Sequence, residues 1–111
     1  NRQLGEQIVS LEELIQSILQ FRDERDWGQF HTPRHLAAGL AIEAAELQET
    51  LLWKDDTQIT EMLKTADGLR KVEHELADVL WSIIAIAEQC NVDLERAFLT
   101  TMDELARELG A

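Results

Sequence analysis

The chain has 111 residues, 45 % of them hydrophobic, enough for one domain with one core and too few for two. Twenty-two acidic residues against ten basic ones give a formal charge of -12, which repels nucleic acid and anionic membrane surfaces and argues against both as partners. A small polyanion is not excluded, because a bound metal ion inverts the local field.

One proline and five glycines interrupt apolar residues that recur at helical spacing, so the chain reads as all α, with no strand signal. Ser10-Leu11-Glu12-Glu13 has the form of a capping box. It opens a first helix that carries Leu11, Leu14, Ile15, Ile18, Leu19 and Phe21 inward and runs out near Trp27-Gly28. Thr32-Pro33, an N-cap followed by proline at the first helical position, starts a second helix expected to last to about Trp53. Lys54-Asp55-Asp56-Thr57 breaks it, and a polar segment to about Gly68 holds a short helix over Gln58 to Lys64. A long apolar helix follows from about Leu69 to Cys90. Asn91 and Asp93 form a turn and cap, and Leu94, Phe98, Met102 and Leu105 give the inner stripe of a last helix.

The expected architecture is a four-helix-bundle-like single domain spanning residues 1–111. Its two long helices, about 20 residues or roughly 30 Å each, leave apolar surface uncovered, so a homo-oligomer is expected. Trp81, well around the wheel from Glu75, reads equally as a subunit contact or as ordinary core. A lone cysteine, Cys90, gives no intrachain disulfide and fits a reducing compartment. With no signal peptide and no run near the ~20 apolar residues of a membrane span, the expectation is a soluble, cytoplasmic protein.

Two carboxylate pairs, Glu43-Ala44-Ala45-Glu46 and Glu75-Leu76-Ala77-Asp78, interrupt the two most apolar helices. Leu36, Leu40 and Leu47 surround Glu43, and Val72, Val79 and Ile86 surround Glu75, at spacings of three, four and seven that set each acid inside an apolar stripe. Removing an ionised carboxylate from water costs several kcal/mol, and four together repel, so a positive partner is required. Basic residues lie at helix ends or on polar faces, which leaves a divalent cation. An all-oxygen set selects a hard ion, Mg²⁺ or Mn²⁺. No Glu-x-x-His triplet of the di-iron type occurs, no Cys/His cluster suits zinc, and no Gly-rich loop precedes a Lys in the Walker manner. His74 is either half exposed or an outer partner of the cluster. Mg²⁺ is commonly shared between protein carboxylates and substrate phosphates, which points to a phosphorylated substrate. The plain alternative is a solvated acidic bundle, since single Glu-x-x-Glu pairs are common in a chain with 22 acids.

Glu43-x-x-Glu46 and Glu75-x-x-Asp78, separated by residues 47–74, resemble the metal motif of the all-α MazG nucleoside triphosphate pyrophosphohydrolases. The stretch from Arg22 to Arg34, with Trp27-Gly28-Gln29-Phe30-His31-Thr32-Pro33, and Leu51-Leu52-Trp53-Lys54 are similar to the compact group that contains the dCTP pyrophosphatases. The resemblance covers roughly Leu11 to Met102. It implies hydrolysis of a dNTP, dCTP or a related or modified one, to the monophosphate and pyrophosphate in nucleotide-pool cleansing. By the same resemblance Glu43, Glu46, Glu75 and Asp78 hold Mg²⁺, Trp27, Trp53, Phe30 and His31 serve the base, and Arg34 and Lys54 serve the phosphates. Without it, Trp27 and Trp53 read as core. It also implies a homotetramer built as a dimer of dimers, or a dimer.

Two departures stand out. Relatives usually carry Asn where this chain has His35, and a Lys, an Asn and a basic-Tyr-Pro ending where it has Thr101, Leu105 and Glu108-Leu109-Gly110. That leaves as a rival a catalytically silent helical module that binds a nucleotide or a protein.

Overall fold

The computed structural model describes residues 10–25 and 32–110, which form five helices and, among the described residues, no strand. Their starts are set by local chemistry. At α1 (Leu11–Glu24), Ser10 Oγ accepts from the Glu13 N–H at 3.1 Å and Glu13 Oε1 accepts from the Ser10 N–H at 2.9 Å. At α2 (Pro33–Leu52), Thr32 Oγ1 accepts from the His35 N–H and Pro33 fills the first position, where its missing N–H costs nothing.

The expected short helix is present but begins two residues early, as α3 (Asp56–Leu63). Asp55 and Gln58 make a second capping box, at 2.8 and 2.9 Å, so the acidic pair read as a breaker is the start signal itself. α4 (Ala66–Gln89) also starts early, capped by Thr65, whose Oγ1 accepts from the Gly68 N–H at 3.0 Å. Gly68 therefore lies in the first turn of α4 and not in a loop. It is buried, and a Cβ there would run into the Met62 carbonyl oxygen at the α3–α4 corner.

α4 ends on a left-handed Asn91 (φ 56°). The Val92 N–H donates to Ala87 O at 2.8 Å and the Asn91 N–H to Glu88 O at 3.3 Å, the paired bonds of a Schellman cap, with asparagine where glycine is usual. Asp93 Oδ1 then accepts from the Arg96 N–H and opens α5 (Leu94–Gly110).

The main packing is α2 against α4, with α1 and α3 resting on α4. Leu36 from α2 and Ser82, Ile84, Ala85 and Ala87 from α4 are buried. The small α4 residues let neighbouring backbones approach closely. The expected inner stripe of α5 is not covered within the protomer. Leu94 is half-buried, but Phe98 is 58 %, Met102 39 % and Leu105 41 % exposed, as is the neighbouring Leu99, and α5 makes no substantial contact with the other described helices. The radius of gyration, 16.8 Å, accordingly exceeds the about 13 Å of a compact domain this size. No helix of the described residues is long and apolar enough to cross a membrane.

Candidate metal centre

The α2–α4 seam follows directly from helical spacing. On α2 the shielded positions run Leu36, Leu40, Glu43, Leu47, Thr50, while Ile42, Ala44, Ala45 and Glu46 face water. On α4, Val72, Glu75, Asp78 and Val79 are shielded in turn. Three acids from two helices thus meet inside an apolar contact.

Glu43, Glu75 and Asp78 each offer an oxygen, and the three atoms lie within 4.8 Å of one another. Oε1 of Glu43 and Oε1 of Glu75 are buried with no hydrogen-bond partner, a costly state for a carboxylate. Burial pushes the Glu43 carboxyl above its ordinary value, and the charges of Glu46, Asp78 and Glu75 and a side-chain hydrogen bond to Glu46 push it further the same way. His74 Nε2 sits 3.1 Å from Asp78 Oδ2, so the histidine is a direct partner of one cluster acid. An oxygen-only set with two orphaned acceptors fits a hard divalent cation, which would satisfy both and offset the repulsion. Glu46 lies outside the group of three, exposed on α2 beside Glu43.

Two cavities border the cluster. One, of about 860 Å³, is lined by Glu75 together with Lys54, Arg70, Lys71, His74, Glu49 and Asp67 and by the α3–α4 corner at Met62, Thr65 and Gly68. The other, of about 490 Å³, is lined by Asp78 with Trp81, Phe21, Ile18 and Ser17. Glu75 therefore borders a cavity ringed by charged side chains, and Asp78 a mostly apolar, aromatic one.

Trp27, Phe30 and His31 lie outside the described residues. Trp53, the C-cap of α2, is 80 % exposed, which overturns the reading of it as core. Lys54, next to it, reaches the chamber beside Glu75 and donates to Thr50 O at 3.1 Å. Arg34 is exposed in the first turn of α2, roughly 30 Å from Lys54 along the axis, so one triphosphate in one protomer does not span both. Thr101, Leu105 and Glu108 lie on the exposed α5. Sequence reading passed over Arg70 and Lys71. The signal was there: two adjacent cations, one turn before Glu75, in a chain otherwise poor in them.

Residues 31–109 match the model of the MazG nucleotide pyrophosphohydrolase domain. The chain belongs to this family. Among MazG relatives, dCTP pyrophosphatase 1 of Mus musculus is 38 % identical over 94 residues, 85 % of this chain and 55 % of that protein. The Homo sapiens dCTP pyrophosphatase 1 is 38 % identical over the same span. The chain thus covers about half the length of these curated relatives. A solved pyrophosphatase from Archaeoglobus fulgidus DSM 4304 is 31 % identical, with a TM-score of 0.79 over 95 % of this chain and 100 % of that one. The MazG assignment agrees with the all-α architecture and with the carboxylate pairs from which the resemblance was drawn.

Proposed function

We propose that this single domain is a Mg²⁺-dependent nucleotide pyrophosphohydrolase that cleaves a dNTP, dCTP or a related or modified one, to dNMP and pyrophosphate. The observation that carries the reading is the convergence of Glu43, Glu75 and Asp78 in the seam of a MazG domain, with two buried oxygens left unpartnered. The dCTP preference rests on the relatives named dCTP pyrophosphatase 1.

Bound by these acids, Mg²⁺, or Mn²⁺ in its stead, supplies neutralising charge for the phosphate oxygens and a lowered pKa for an attached water. Glu43, Glu75 and Asp78 would hold that ion in the seam, where its charge would offset the repulsion between the carboxylates and the α-phosphate. Glu46, exposed beside Glu43 and outside the oxygen triad, is either a fourth ligand to that ion or the group that takes the proton of the attacking water. A water oxygen bonds to the α-phosphorus, the bond from that phosphorus to the bridging oxygen breaks, and the electron pair leaves with pyrophosphate. Trp27, Phe30, His31 and Trp53 are assigned to the base, and Lys54 to the phosphates. Arg34, the other phosphate contact the resemblance implies, lies too far from Lys54 along α2 to share one triphosphate with it within the protomer.

The exposed α5 stripe and the expanded protomer support a homo-oligomer, a dimer or a dimer of dimers. Cleavage of a free dNTP fits a role in cleansing the nucleotide pool, in the cytoplasm on this reading. A second reading, a silent binding module, rests on the departures from the family resemblance at Thr101, Leu105 and Glu108.

Pyrophosphate release from the four dNTPs and four NTPs with Mg²⁺, beside Glu46→Ala, separates the two. Selective turnover that disappears in the variant supports the enzyme. A folded, Mg²⁺-binding wild type that turns over none of them moves the reading to the silent module.

A further inference from the structure

The cavity beside Glu75 concentrates positive charge where the chain as a whole has little. Lys54, Arg70 and Lys71, three of the ten basic residues, line it. Its carboxylates are Glu49, Asp67 and Glu75, and the last belongs to the metal cluster. With Glu75 engaged by a cation, the three basic side chains outnumber the two acids that remain.

These cations are available. Lys71 makes no ion pair among the described residues. Arg70 meets Glu73 at 3.8 Å, with both side chains more than half exposed, a pairing too weak to hold the guanidinium against a phosphate. Lys71 precedes Glu75 by four residues, so the two share a helix face about one turn apart. A diphosphoryl group leaving the cluster along α4 spans that distance.

The second cavity, at Asp78, is lined by Phe21, Trp81, Ile18 and Ser17 and, among the described residues, by no cation. Cations suit phosphate, so of the two cavities the one beside Glu75 is fitted to the phosphates. We propose that Arg70 and Lys71, with Lys54, form a cationic subsite that takes the β- and γ-phosphates and holds the departing pyrophosphate. This rests on the pyrophosphohydrolase reading.

The test is calorimetric binding of Mg²⁺-pyrophosphate to wild type, to Arg70→Gln/Lys71→Gln, and to the charge-matched Arg96→Gln/Arg107→Gln on α5, with dCTP kinetics on the same proteins. The first variant should bind pyrophosphate about tenfold or more weakly, the loss expected for charge-assisted contacts. Its KM for dCTP should rise by a similar factor, while dCMP inhibition and the thermal shift given by Mg²⁺ alone stay as in wild type. The α5 variant should match wild type throughout. Unchanged pyrophosphate affinity in Arg70→Gln/Lys71→Gln, with turnover intact, overturns the subsite alone. Absence of turnover by wild type on every nucleotide overturns the enzymatic reading instead.

Discussion

Glu43 on α2 and Glu75 on α4 each hold one carboxylate oxygen, Oε1, buried in the same helix seam with no donor to meet it. A cation that binds only the folded state stabilises it by mass action, about 2.7 kcal/mol at a hundred times its Kd. Mg²⁺ should therefore raise the Tm of wild type by several degrees. Glu43→Gln and Glu75→Gln should lose that response, and Glu12→Gln, on exposed α1, should keep it. Differential scanning fluorimetry with and without Mg²⁺ checks this, and an equal shift in all four proteins would contradict the site.

The same burial has a pH signature. Because the folded pKa of Glu43 lies above its ordinary 4.5, the folded state keeps a proton that the unfolded chain has already lost. Stability of the metal-free protein should fall as pH rises from about that value through the raised one. Replacing the acid with glutamine removes the term. Urea denaturation across this window should show wild type losing stability relative to Glu43→Gln, the gap widening with pH and then levelling. A constant gap would contradict the assignment.

Glu46 lies next to the cluster without belonging to the triad. If Glu46 takes the proton, Glu46→Gln should keep most of the Mg²⁺-induced thermal shift while lowering kcat by about a hundredfold or more, the scale of a lost general base. Loss of the shift together with the activity would make Glu46 a ligand instead.

Gly68 meets the Met62 backbone at the α3–α4 corner, and backbone gives way less readily than a side chain. Gly68→Ala should cost about 1–3 kcal/mol by overpacking, read from the urea midpoint. Helix propensity alone predicts a gain of up to about 1 kcal/mol, so the sign decides between them.

Phe98 and Leu99 stand exposed on α5. If α5 is covered by a second copy, Phe98→Asp should shift the light-scattering mass toward the monomer and lower the Tm. A monomeric wild type, or an unmoved mass in the variant, would remove the oligomer from the proposal.

Much of this fold is written in short stretches of chain. Ser10, Thr32 and Asp93 cap helices where their side chains read as caps, because a cap bonds within three residues and needs nothing distant. The starts of α3 and α4 were harder. Asp55 and Gly68 look like breakers, and their roles depended on the Gln58 reciprocal bond and on burial at the α3–α4 corner.

By itself the sequence determined the helices and the setting of Glu43, Glu75 and Asp78 in apolar stripes, since periodicity along one helix is a local property. Only the tertiary structure decided which acids meet. Glu43 and Glu46 stand about 60° apart on α2, and the contact with α4 is a narrow strip that admits the first and leaves the second in water. The gathering of Lys54 with Arg70 and Lys71 beside Glu75, and the exposure of α5, were likewise decided there. Distances across helices depend on how their faces pack, and no spacing within one helix encodes that.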